Sequence, residues 1–175
     1  GGWGVAQVTG LRCERHVVYQ GKHKYQAGVP TEVWNFPILK PTTGPIDVND
    51  EERGDTLAVN RKCIVPHGAQ PVGKKSLITE FGGLVATDDT ALLNPPLPER
   101  VKKVEVTLEG GVKWSVKLTL PYEPFIGTIG TSPEIEAITS LQPDYYGGNM
   151  DLPDVGVDAV IYLPVNARGA LLYLG

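Results

Sequence analysis

Glycine and proline punctuate this chain along its whole length, between short apolar runs, and that spacing limits what it can build. The 175 residues hold 21 Gly and 15 Pro, about a fifth of the chain where ordinary usage is nearer an eighth. Proline lacks the N–H that a helix needs, and glycine costs backbone entropy inside any regular element. Spread in this way, the two residues suit short strands joined by turns. The fold class expected is mainly β, sandwich or barrel-like, with hairpins and at most one or two short helices.

One hairpin is legible in full. Val104, Val106 and Leu108 alternate with Glu105 and Thr107, and beyond Glu109-Gly110-Gly111 the residues Val112, Trp114, Val116, Leu118 and Leu120 alternate with polar ones. A three-residue loop containing Gly is a favoured connection. It predicts Leu108 opposite Val112 and Val106 opposite Trp114, with one buried face and one rich in Lys. Further strands are expected at Val5–Leu11, His16–Gln20, Asp55–Val65, Pro124–Ile129, Ala159–Leu163 and Ala170–Leu174. Thr42-Thr43-Gly44-Pro45 reads as a turn, and Asn94-Pro95-Pro96-Leu97-Pro98 as a rigid connector. A short helix is expected at Ser132–Leu141, with Ser132 as N-cap, Pro133 at its first position and Glu134 and Glu136 in the first turn. A boundary near Pro121–Pro124 divides a β-rich region, 1–122, from an incomplete β (α+β) region, 123–175.

Charge narrows the partners. Sixteen Lys and Arg stand against 20 Asp and Glu, a net charge of −4, whereas a nucleic-acid binder needs a basic stripe to displace counterions. No apolar stretch approaches the roughly 20 residues that span a bilayer. No basic segment followed by an apolar core opens the chain. The expectation is a cytoplasmic protein that binds neither nucleic acid nor membrane.

Several constellations bear chemistry. Gly68-Ala69-Gln70-Pro71-Val72-Gly73-Lys74 nearly spells a phosphate loop, but Lys75 follows where the motif needs Ser or Thr, and Pro71 removes a donor. A solvated basic turn is the better reading. Gly127-Thr128-Ile129-Gly130-Thr131-Ser132 is a second Gly-rich turn, able to aim N–H groups at an anion or oxyanion. Cys13 with His16, and Cys63 with His67, offer four zinc ligands against the plainer reading of buried Cys and surface His. The carboxylates Glu80, Asp88, Asp89, Asp144, Asp151, Asp154 and Asp158 are candidate acids, bases or ligands. Asp151 stands apart by context. Tyr145-Tyr146-Gly147-Gly148-Asn149-Met150-Asp151 packs two phenols, two permissive glycines, an amide and a carboxylate into seven residues. Such a run fits either a ligand site or an Asx-rich turn.

At these residues the sequence resembles the acetamidase/formamidase family. Four blocks carry the likeness, in the family's order. They are Pro41-Thr42-Thr43-Gly44-Pro45-Ile46 leading to Arg53-Gly54-Asp55-Thr56-Leu57-Ala58-Val59, then Pro124-Phe125-Ile126-Gly127-Thr128-Ile129-Gly130, then Tyr146-Gly147-Gly148-Asn149-Met150-Asp151. The fourth runs from Tyr162-Leu163-Pro164-Val165 through Gly169-Ala170-Leu171-Leu172-Tyr173-Leu174-Gly175. The blocks span about 35–175. The Gly-Gly-Asn-Met-Asp block and the final run are the specific ones.

The resemblance implies a β-rich amidase acting on small linear amides or lactams, with a divalent metal, zinc, as cofactor. It makes Asp151 the catalytic carboxylate or metal ligand, Tyr146, Gly147, Gly148 and Asn149 the substrate pocket, and Glu80 a general-base candidate. Two departures stand out. Tyr146 replaces a His that many members carry before the Gly-Gly pair, and Lys40 replaces a His or Asn before the Thr-Thr-Gly-Pro turn.

A larger departure follows Gly175, where members continue into an Asp- and His-containing segment and a Gly-Asp-Gly-Glu stretch. The partner expected is therefore a second polypeptide carrying the rest of the site, the composite forming a homo-oligomer. If a precursor cuts itself there, the new terminal residue of that second chain is an alternative nucleophile to metal-activated water. The rival from another class is a non-catalytic β module for ligand binding or assembly.

Overall fold

A computed structural model describes residues 42–65, 72–77, 100–107, 109 and 111–175. Every regular element among them is a strand, as the glycine and proline spacing predicts. The described residues fall into two compact units, one holding 42–65 and 123–175, the other 72–77, 100–107, 109 and 111–122.

In the first unit, β1 (Thr43–Ile46), β7 (Thr128–Gly130), β8 (Pro143–Asp144), β9 (Gly147–Asn149) and β11 (Leu172–Leu174) form one sheet, ordered β1-β11-β7-β9-β8. A two-stranded ribbon of β2 (Thr56–Asn60) and β10 (Val160–Pro164) accompanies it, in antiparallel register. Period-two patterning sets the inner face of that ribbon: Leu57 lies opposite Leu163 and Val59 opposite Ile161. These four join Ile129, Val48, Val155, Val165, Leu172 and Leu174 in the core, with Ile129 fully buried. The connection from β1 to β2 is stitched to the chain's last third. Val48 N–H donates to Gly169 O, Gly169 N–H to Glu51 O, and Gly54 and Val165 donate to Val165 O and Asp55 O. All four bonds measure 2.8–3.0 Å.

The second unit is a meander of β3 (Val72–Leu77), β4 (Arg100–Thr107), β5 (Gly111–Ser115) and β6 (Leu118–Leu120), each antiparallel to the next. The expected hairpin forms, in a different register: Val106 faces Val112, and Thr107 faces Gly111. Gly111 belongs to the strand instead of the loop, and its carbonyl accepts the Thr107 hydroxyl at 3.3 Å. Nor does one strand run from Val112 to Leu120. Lys117 N–H donates to Ser115 Oγ, a hydroxyl-capped turn that reverses the chain and pairs Val112 with Leu120. Val116 is consequently exposed.

Three other expectations are corrected. Thr43–Ile46 is a strand instead of a turn, and Val72-Gly73-Lys74 belongs to β3 instead of a basic turn. The helix over Ser132–Leu141 does not form. Its N-cap is diverted: Ser132 N–H donates to Ala170 O, and Ser132 O accepts Asn166 Nδ2 at 3.4 Å. Glu134 N–H, which an N-cap would satisfy, goes to the Tyr145 hydroxyl, and the Glu134 carboxylate pairs with Arg53 at 2.7 Å. Tertiary partners outbid a weak local propensity. The strands expected at Val5–Leu11 and His16–Gln20 and the connector at Asn94–Pro98 lie outside the described residues.

Candidate functional site

The Gly-Gly-Asn-Met-Asp run leaves β9 and passes beside the start of β7. Thr128 pairs with Asn149, Ile129 with Gly148 and Gly130 with Gly147. Close approach dictates the two glycines of β9: a Cβ on Gly147 would stand 2.5 Å from Ile129 O, and one on Gly148 the same distance from Gln142 O. Both also adopt positive φ, +95° and +91°, a region that costs other residues steric strain.

The polar groups of the run are committed as follows. Thr128 Oγ1 donates to Asn149 Oδ1 at 3.0 Å, and Asn149 Nδ2 donates to Leu141 O at 3.2 Å. The Tyr146 hydroxyl donates to Gln142 O at 3.0 Å, and its ring meets Tyr145 edge to face at 5.5 Å. Tyr146 is 5% exposed. Burial, then the charge of Asp144, then Tyr145, push its phenol above the usual range.

Asp151 ends the run. Its N–H donates to Gly127 O at 3.0 Å, its φ is +47°, and its residue surface is exposed. A Cβ placed on Gly127 would stand 2.5 Å from Asp151 Oδ1, so the carboxylate lies directly against a residue that has no side chain. Asp tolerates left-handed backbone better than most residues, which explains why a carboxylate can occupy this corner.

Tyr146, Gly147, Gly148, Asn149 and Asp151 are thus brought together on β9 and its exit. Glu80 lies outside the described residues, as do Cys13, His16 and His67, while Cys63 is exposed with a free thiol. The Gly127–Ser132 segment is not an anion cradle. The N–H groups of Thr128, Thr131 and Ser132 donate to the carbonyls of Gly175, Tyr146 and Ala170, and its centre is β7. Among the described residues, no three His, Cys, Asp or Glu side chains converge to hold a metal ion. The Asp151 carboxylate by itself would offer fewer ligands than a zinc site takes.

Sequence reasoning missed three buried polar residues of this unit. Thr128 is a buried hydroxyl that fixes Asn149, and its signal is one polar residue inside an apolar block. Glu51, 2% exposed, sits in an acidic run that reads as solvated surface. Arg61, 7% exposed, follows β2 with nothing in its neighbours to mark it, and burial pulls its guanidinium below the usual value.

These features define a β-sheet protein whose candidate site is a carboxylate-bearing glycine turn at the exit of a sheet. No protein-family profile matches the chain, and no curated protein matches it. Solved structures do. An acetamidase from Yersinia enterocolitica is 45% identical over 89% of this chain and 47% of its own, with a TM-score of 0.78. An acetamidase from Bacillus halodurans is 32% identical over 87% of this chain and 48% of its own, with a TM-score of 0.70. A predicted acetamidase/formamidase from the thermophile Thermoanaerobacter tengcongensis is 35% identical, covers 77% of this chain and 41% of its own, and has a TM-score of 0.59. The chain belongs to the acetamidase/formamidase family, matching the N-terminal portion of these solved structures. It spans about half the length of those solved relatives.

Proposed function

We propose that this chain carries part of the active site of an enzyme that hydrolyses the C–N bond of small amides, formamide-like, acetamide-like or lactam, with Asp151 as acid/base. The observation that carries the reading is the setting of Asp151. An exposed carboxylate leaves a left-handed turn, tethered through its N–H to Gly127 O and laid against the bare Cα of that glycine. The names of the solved relatives support the substrate class.

In this reading Asp151 takes a proton from water as the water oxygen bonds to the amide carbonyl carbon. Asp151 then returns that proton to the nitrogen as the C–N bond breaks, giving a carboxylic acid and ammonia or an amine from a linear amide, or a single amino acid from a lactam. Glu80 is retained as a second acid/base candidate. Tyr146, Gly147, Gly148 and Asn149 form the wall beside Asp151. A divalent metal, zinc by the family resemblance, would add Lewis-acid chemistry when bound. The described residues alone do not make its ligand set, so no step is assigned to it. The remaining site groups are assigned to the half of the family's chain that this sequence does not span.

A second reading, a non-catalytic β module, draws on one observation. The Tyr146 hydroxyl and both ends of the Asn149 amide make internal hydrogen bonds, as they would in a structural turn.

The test is co-expression of this chain with the C-terminal half of the Yersinia enterocolitica relative, with ammonia release measured from formamide and acetamide and ring opening to the amino acid measured from a small lactam. Hydrolysis that Asp151→Asn abolishes is expected. A folded assembly that binds amides without releasing ammonia would favour the module instead.

A further inference from the structure

We propose that Arg61 is a positioning residue for Asp151, acting through the segment that joins Asp151 to β10. The inference rests on the amide-hydrolase reading above. Arg61 stands one residue beyond β2. Its Nε donates to Gly156 O at 3.1 Å, and Nη2 donates to Ala159 O at 3.1 Å. Its own carbonyl accepts Asp158 N–H at 2.7 Å. Three bonds thus fasten residues 156–159 to the end of a core strand.

The near part of the same segment runs along residues 125–127. Asp151 N–H donates to Gly127 O at 3.0 Å, Ile126 N–H donates to Val155 O at 3.3 Å, and Phe125 bridges Gly156. Gly156 is therefore held twice, by Phe125 on one side and by Arg61 on the other. Releasing the Arg61 contact frees the outer end of the track on which Asp151 sits.

The choice of a guanidinium supports a directed role. Its remaining terminal nitrogen, Nη1, is buried and has no hydrogen-bond partner among the described residues. The two acceptors it reaches are neutral carbonyls. A cation buried on such terms loses hydration that an apolar side chain of similar length would not lose. What Met cannot supply is a rigid fork of N–H donors aimed at two carbonyls of one turn. That is the chemistry of fixing a backbone, and Asp151 is the chemistry-bearing residue on that backbone.

The test is amide hydrogen exchange on the purified protein, comparing Arg61→Met and Arg61→Lys with the parent. Arg61→Met is expected to speed exchange of the Asp151 and Ile126 amides by about tenfold through local opening, while Ile129 in β7 keeps its protection. Arg61→Lys, which can still donate to one carbonyl, is expected to fall between and carries the same test if Arg61→Met fails to fold. In the reconstituted amidase assay, Arg61→Met lowers kcat with little change in KM, and Arg61→Lys recovers part of it. Unchanged exchange at Asp151 and Ile126 in either folded variant overturns the proposal. If exchange responds but Asp151→Asn hydrolyses amides normally, Asp151 is not the acid/base and its positioning by Arg61 falls, while the hydrolase reading stands. If exchange responds and the reconstituted parent hydrolyses no amide, the hydrolase reading falls and the tether remains.

Discussion

Asp151 and Gly127 hold each other at two points: the Asp151 N–H donates to Gly127 O at 3.0 Å, and Asp151 Oδ1 occupies the space that a Cβ on Gly127 would need. Backbone and side chain of the carboxylate are thereby fixed against one residue, and its position is sensitive to a single methyl group.

That sensitivity gives the first prediction. Gly127→Ala must push the Asp151 carboxylate aside, because the contact of 2.5 Å has to lengthen. A displacement near 1 Å of an acid/base group costs on the order of 100-fold in rate. Amide hydrolysis by the reconstituted enzyme should fall by that order while thermal unfolding shows the same cooperative transition.

Replacing the carboxylate itself separates stability from chemistry. Asp151 sits at φ +47°, where glycine is at ease, so relief of left-handed crowding offsets the entropy that Gly adds to the unfolded chain. Asp151→Gly should match the parent in stability to within about 1 kcal/mol, measured by urea unfolding. Its hydrolysis should drop by about 100-fold or more, the worth of a general acid/base. A variant both stable and fully active would remove Asp151 from the mechanism.

Thr128 offers a test of the site's frame. Thr128→Val keeps shape but deletes the donor that reaches Asn149 Oδ1 at 3.0 Å. A loss of about 1 kcal/mol is expected from one partly buried hydrogen bond, read as a shift of the urea midpoint at unchanged slope. Asn149 should then move in the chemical-shift map of its side-chain amide.

Alkaline pH provides the fourth. The Tyr146 phenol is held above its ordinary value near 10 by burial first, then by Asp144 and Tyr145. Folding therefore favours the protonated phenol. The stability this contributes is complete below the unfolded value and disappears as pH rises through the folded one. Melting temperature should fall across that alkaline range as tyrosinate absorbance rises. Tyr146→Phe should flatten that edge and lower stability at neutral pH, through loss of the bond to Gln142 O.

Much of the sheet architecture was legible because period-two patterning is strong in this chain. Leu57 and Val59 face Leu163 and Ile161 across the β2–β10 ribbon as alternation requires. Register was less legible. Two turns compete along residues 107–118, and only the Ser115 hydroxyl bonding Lys117 N–H decides where the second reversal falls. The lost helix at Ser132–Leu141 shows the same limit, since its cap was claimed by Ala170, Asn166 and Tyr145 from distant sequence. For the site, the Gly-Gly-Asn-Met-Asp run was visible by its residue types. The Gly127 contact and the Arg61 clasp were not: Gly127 stands in a visible glycine turn, but its partner Asp151 comes from a later segment, and Arg61 reaches carbonyls of Gly156 and Ala159 far along the chain.

The same clasp sets a timetable for synthesis. Arg61 and Ala159 are 98 residues apart, and β11, which lies between β1 and β7, comes from residues 172–174. A ribosome adding 5–20 residues each second leaves β1 and β2 waiting roughly 5–26 s for β11 and β10. During that interval β1 and β2 are unpaired edges carrying Ile46, Leu57 and Val59, the state in which nascent chains recruit chaperones or one another. The acidic loop between them, with Asp47, Asp50, Glu51, Glu52 and Asp55, then acts as a gatekeeper: like charges on neighbouring nascent chains repel before their strands can meet.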